Sequence, residues 1–216
     1  MPGDIHQYVS VLFGSLVQPI VDVLGILDRH GSRRPNEVQA STVENGYSVS
    51  VVALSVFLLE SAVARSRHVR GEVGRRSAVD ALKTLVSNDL AADAEELFVL
   101  RDVIAHNHLW LAEIKWDDSG DMRLVSARLV DGYGDDKFAR VVDMTTRTTR
   151  RLHLDVFPTR IHRSTAVIVI KKCAEVLHSI ETQNRQCIYL EPVHVLTGDE
   201  QYLPFYEWVD GLNTSA

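Results

Sequence analysis

The sequence predicts a mainly α-helical protein with a small antiparallel β hairpin or sheet as an insertion and an irregular C-terminal tail. Three observations carry this. Apolar residues recur at three- and four-residue spacing from Ile5 to Ile114 and again from Ser164 to Glu181. Residues 120–157 switch to strand-like composition broken by turn formers. Beyond Gln186 the periodicity ends, and Pro192 and Pro204 interrupt a group of aromatics. The expected division is a helical core over 1–118, a β insertion over 119–158, a final helix over 159–185 that packs on the core, and a tail over 186–216.

The first helix is expected from Ile5 to about His30, with Val9, Leu12, Leu16, Ile20, Val23 and Leu27 on its apolar side. Pro19 should bend it, and Gly31-Ser32-Arg33-Arg34-Pro35 should end it. The second helix is expected from Val49 to about His68, apolar nearly all round to Leu59 and basic beyond. Gly71 and Gly74 break it. A third, short helix is expected over Arg76–Val86, a turn at Ser87-Asn88-Asp89, and a fourth helix from Ala92 to Ile114. Met122–Val130, Phe138–Met144 and Arg151–Phe157 have strand composition and suggest a hairpin or three-stranded sheet. The tail aromatics Tyr202, Phe205, Tyr206 and Trp208 suggest that this segment packs back on the body.

A net charge of -6 argues against a protein that coats nucleic acid through bulk charge, although a local basic patch on an acidic body remains compatible with RNA. Cys173 and Cys187 have no close-spaced metal pattern and read as free thiols in a reducing compartment. The opening Met-Pro-Gly-Asp lacks a basic n-region, so no signal peptide is expected. The apolar run from Val49 to Leu59 is shorter than the ~20 residues that span a bilayer. A cytoplasmic location without membrane contact is expected, with no cofactor and no metal.

The segment Glu95–Trp110 holds most of the chemistry. On a helix at about 100° per residue, Arg101 and His108 lie within about 60° of the Leu97–Ile104–Leu111 stripe. Asp102 and His106, four apart, are neighbours on another face. Buried charges need partners, which could come from this chain, a second copy or a ligand. His106 and His108 would diverge by about 200° on a helix, which argues against one shared metal ion.

Arg101-Asp102-x-x-x-His106 resembles the motif of the HEPN superfamily: Arg, a polar residue, then His after four to six intervening residues. Val-Leu-Arg-Asp-Val-Ile-Ala-His-Asn-His-Leu-Trp and the helices before it are similar to bacterial HEPN proteins. The resemblance covers residues 5–115 and extends to the last helix. It implies a bundle of four to five helices and a homodimer whose two motifs face one cleft. It also implies RNA cleavage without metal, with the ribose 2′-OH as nucleophile. His106 would then be the general base or acid, Arg101 would bind the scissile phosphate, and Asp102 would orient the imidazole. His108, with six residues between it and Arg101, also fits, as a second base or a phosphate contact. A toxin–antitoxin or phage-defence setting, with an antitoxin protein as partner, rests on the same analogy. An RNA- or nucleotide-binding module and a dimerisation domain are the other readings.

Arg65, Arg67 and Arg70, with His68, Arg75 and Arg76, form the densest basic stretch, a candidate RNA-phosphate contact or a solvated helix end. Glu60 and Asn107 are the expected supports: Glu60 could fix the Arg101 guanidinium or satisfy another core group. Arg147, Arg150, Arg151, Arg160 and Arg163 read as surface charges. Trp110 and Trp116 read as core or dimer contacts.

Overall fold

Serine side chains set three helix starts. In a computed structural model describing residues 12–30, 36–74 and 76–213, Ser41 accepts from Glu44 N, Ser77 from Asp80 N and Ser87 from Leu90 N. Each satisfies an amide that the first helical turn leaves open. They open α2 (Thr42–Val69), α3 (Ala78–Leu82) and α4 (Asn88–Ala105). α2 therefore starts at Thr42 rather than Val49, because Ser41-x-x-Glu44 supplies a cap ahead of the apolar run.

Before these lies α1 (Val17–Arg29), entered through a 3-10 turn over Phe13–Leu16. The part of the first expected helix before residue 12 and the loop 31–35 lie outside the described residues. Pro19 lies at the start of α1, not in its interior. It sits in the first turn, where its missing N–H costs no helical hydrogen bond. α6 (Arg163–Gln183) matches the long last helix expected from Ser164.

α2 packs against α1, α3, α4 and α6, with α2 and α6 as the most extensive pair. Val51, Val52, Leu58, Leu59, Leu97, Leu100, Ile170 and Leu177 are fully buried in the shared core. By length and composition α2 could span a bilayer, but half of its most apolar window is buried within this bundle.

The fourth helix stops at Ala105, well short of Ile114. The chain then forms a hairpin of β1 (Trp110–Trp116) and β2 (Met122–Leu129), with a bulge at Glu113/Ile114. β2 was expected to pair with strands further on; it pairs with β1 instead. One face of the hairpin is apolar throughout: Trp110, Ala112, Ile114 and Trp116 lie opposite Leu129, Ala127, Leu124 and Met122.

Phe138–Met144 is mainly helix, not strand. Asp135 accepts from Phe138 N at 2.8 Å and caps α5 (Asp136–Val141). Within this region only the two-residue strands β3 (Val142–Asp143) and β4 (Thr148–Thr149) follow, so the three-stranded sheet does not form. The alternating stretch 151–157 is a short turn followed by irregular chain, held by one bridge between Thr148 and Asp155. Glu96, buried on α4, accepts the backbone N–H groups of Arg151 and Leu152, both at 2.8 Å, and clamps that turn. Phe138, Val141, Val142 and Val156 join Val99 and Val103 of α4 in a second, smaller core.

The tail is ordered rather than irregular: β5 (His194–Leu196) pairs with β6 (Tyr202–Pro204), and α7 (Phe205–Asp210) follows. Phe205 and Trp208 do pack into the main core, and Tyr206 donates to Glu181 at 2.7 Å. Tyr202 remains exposed.

Candidate functional site

The site begins with the way α4 ends. His106 is the C-cap, and Asn107 follows in the left-handed region at φ 46. His108 N donates to Val103 O at 3.0 Å and Asn107 N to Ile104 O at 3.2 Å. These two bonds make a Schellman motif, which satisfies the last carbonyls and reverses the chain. Asn tolerates the left-handed conformation better than other residues with a Cβ.

This ending changes the relation of the two histidines. They do not lie on a helix and do not diverge by the helical angle. His106, exposed, and His108, buried, line one open cleft of about 380 Å³. Asp102, Tyr133, Asp135 and Phe138 line the rest, with Gly132 and Gly134 in its loop wall. Gly134 has φ 83, and a Cβ there would meet Phe138 Cδ1 at 2.9 Å, so a side chain at this position would be strained.

The His108 ring lies 5.7 Å from that of Tyr133 and 5.3 Å from that of Phe138. Its Nδ1 is buried without a hydrogen-bond partner among the described residues. Burial, then the neighbouring His106, push its pKa below the ordinary 6.5, against the opposing pull of Asp102 and Asp135. Burial of the ring thus favours its neutral form.

Arg101 stands at the shoulder of the cleft. Its Nη2 donates to Glu60 Oε1 at 2.6 Å, and its Nε is 3.1 Å from Asp102 Oδ1. The guanidinium also lies 5.9 Å from the centre of the Phe57 ring. Glu60 thus fixes Arg101 from α2. Asp102 holds cations rather than the His106 imidazole: its Oδ2 accepts from Lys137 Nζ at 3.4 Å. The link from Asp102 to His106 is the backbone bond from His106 N to Asp102 O, 2.9 Å. Two carboxylates and two cations, Arg101 and Lys137, make a locally neutral network.

Lys137, Tyr133 and Asp135 were not legible as site residues. Tyr133 and Asp135 line the cleft, and Lys137 meets Asp102 beside it, only because the β1–β2 hairpin returns the chain to the end of α4. No spacing in the sequence encodes that return.

The basic stretch is elsewhere. Arg65 contacts Gln186 O at 3.5 Å, Arg67 donates to Gly74 O at 2.6 Å, and Arg70 donates to Thr84 O at 3.1 Å. Arg67 and Arg70 share Glu72. Arg70 lies about 15 Å along α2 from Glu60, toward the start of α4. Arg67 and Arg70 fasten the segment after α2, Arg65 reaches the C-terminal segment, and none of the three lines the cleft; Arg75 lies outside the described residues. Arg151, Arg160 and Arg163 are likewise engaged, by Asp93, Asp155 and Asp28. Trp110 packs edge-on against Phe157 at 5.5 Å, whereas Trp116 is 65% exposed.

Among the described residues no group of three or more His, Cys, Asp or Glu is arranged to hold a metal ion. Comparison of the chain with protein-family models, with curated proteins and with solved structures gave no match.

Proposed function

We propose that the chain is a metal-independent endoribonuclease of HEPN type acting from the cleft at the end of α4. The observation that carries this reading is the meeting of His106, His108 and Asp102 in one open cleft, with Arg101 fixed beside it. The Arg-Asp-x-x-x-His spacing supports it by resemblance.

In this reading exposed His106 accepts the proton of a ribose 2′-OH. The oxygen attacks the adjacent phosphorus, and the bond from phosphorus to O5′ breaks. The products are a 2′,3′-cyclic phosphate and a 5′-OH, the leaving oxygen taking a proton from an imidazolium or water. Arg101 and Lys137 offset the charge that develops on the phosphoryl oxygens. Asp102 holds both cations in place. His108 hydrogen-bonds substrate or relays a proton. The enzyme acts on RNA in the cytoplasm as a homodimer, in a toxin–antitoxin or phage-defence setting with an antitoxin protein as its restraint.

The test is incubation of the purified chain with total RNA and tRNA in EDTA, with analysis of product ends. Cyclic-phosphate ends from wild type are expected, with cleavage lost in Arg101→Ala and in His106→Ala. Equal cutting by both variants would remove the assignment. A second reading has its own observation: Arg101 already has two carboxylate partners. That balance fits a module that binds RNA or nucleotide, or that dimerises, without cutting. Such a module would lose affinity in Arg101→Ala, or lose its dimer, and tolerate His106→Ala.

A further inference from the structure

The β1–β2 hairpin has two edges, and only one is blocked. On the β2 side, Leu124 N donates to Glu37 Oε2 at 2.8 Å, and Arg123 pairs with Glu37 at 3.5 Å. On the β1 side no further strand is hydrogen-bonded among the described residues. An open edge of this kind is a template for another strand. Its side chains are also exposed: Leu111 at 52%, Ile114 at 42% and Trp116 at 65%.

The charges on β1 select the occupant. Lys115 lies opposite Arg123, a like charge, and has no ion-pair partner among the described residues. Glu113 sits two positions earlier on the same face and accepts only from Ser126 Oγ at 2.7 Å. We infer that β1 pairs antiparallel with β1 of a second copy, with the two-fold axis at Ile114. This contact is separate from the cleft, and it stands whether or not the cleft cleaves RNA.

The register follows by comparing alternatives. An axis at Ile114 sets Glu113 opposite the second copy's Lys115 twice, and each such pair is favourable across strands. It also sets Trp116 against Ala112, a large residue against a small one. An axis at Glu113 or at Lys115 opposes identical charges. An axis at Ala112 leaves both charges against leucines. A slip by one residue sets the apolar face of one copy beside the polar face of the other. The chosen register joins the two hairpins into a four-stranded sheet with one continuous apolar face. His108 of each copy then lies about 40 Å from its counterpart, at ~3.3 Å per residue. The clefts are separate, not face to face as the family resemblance implies.

The experiment uses the full chain and two readouts. Sedimentation over a dilution series is expected to show a dimer for wild type and a monomer for Lys115→Glu. The double variant Glu113→Lys/Lys115→Glu is expected to regain the dimer. Circular dichroism confirms that each variant is folded. Mild oxidation of Ile114→Cys is expected to give a disulfide-linked dimer, since antiparallel partners lie within disulfide reach; Cys173 and Cys187 are buried. Glu113→Cys alone should not cross-link, but should do so when mixed with Lys115→Cys. A wild type that stays monomeric, a dimer that survives Lys115→Glu, or an Ile114→Cys variant that fails to cross-link would overturn the proposal.

Discussion

His108 combines two opposed features. Its ring packs against Tyr133 and Phe138, as an apolar side chain would, yet it carries a buried Nδ1 that no group among the described residues satisfies. Leaving such an atom unpaired costs about 1–3 kcal/mol. Its lowered pKa adds a pH dependence. Folding favours the neutral ring, so the unfolded chain binds the proton first as pH falls. The stability that depends on neutral His108 is present above its ordinary 6.5 and is lost as pH falls from there through the lowered folded value. His162, lowered by burial, acts in the same direction, while Asp155, raised by burial, acts oppositely at lower pH. His108→Phe should therefore keep or raise the melting temperature near neutrality. Its loss on going from about pH 8 to about pH 5 should be smaller than that of wild type. Thermal melts across that range decide it; an identical slope in the variant would show that His108 does not contribute.

Asn107 governs the element that carries the site. At φ 46 it holds the Schellman ending that sends His106 and His108 into one cleft. Asn107→Gly should be tolerated, because glycine adopts this conformation freely. Asn107→Val should cost about 1–2 kcal/mol, or roughly 2–8 °C in melting temperature. Equal stability of the two variants would show that the left-handed turn does not matter. The same residue shows what the sequence could not convey. Helix interiors were legible from spacing, since α2, α4 and α6 bury long apolar stripes. The start of α2 was marked by a serine cap that the apolar run obscured. The end of α4 was misread because Leu109, Leu111 and Ile114 continue a helical spacing, so a single Asn had to outweigh a strong pattern. α5 was misread because Phe138, Val141 and Val142 have strand composition, and the Asp135 cap decided otherwise. Of the candidate site, Arg101, Asp102 and His106 were legible as a motif, and Glu60 as one possible partner. Lys137 was not, because its contact with Asp102 spans 35 residues and depends on the hairpin.

At the scale of the molecule, α4 is a wall between two cores of unequal size. Leu97 and Leu100 face the main bundle; Val99 and Val103 face the small cluster with Phe138, Val141, Val142 and Val156. The cleft belongs to the small side, where Phe138 and the 132–135 loop line it. A satellite core buries little apolar area, so its local opening should be easier than global unfolding. The main bundle also has α2 packed on four other helices, which the 110–157 region lacks. Val156→Ala should therefore cost about 2 kcal/mol locally and speed hydrogen exchange across 110–157, with α2 and α6 protected as in wild type. Leu58→Ala, in the main core, should accelerate exchange throughout. If Val156→Ala raised exchange in α2 and α6 as much as in the hairpin, the two cores would be one cooperative unit. The cleft would then gain no mobility of its own from its place on the smaller side.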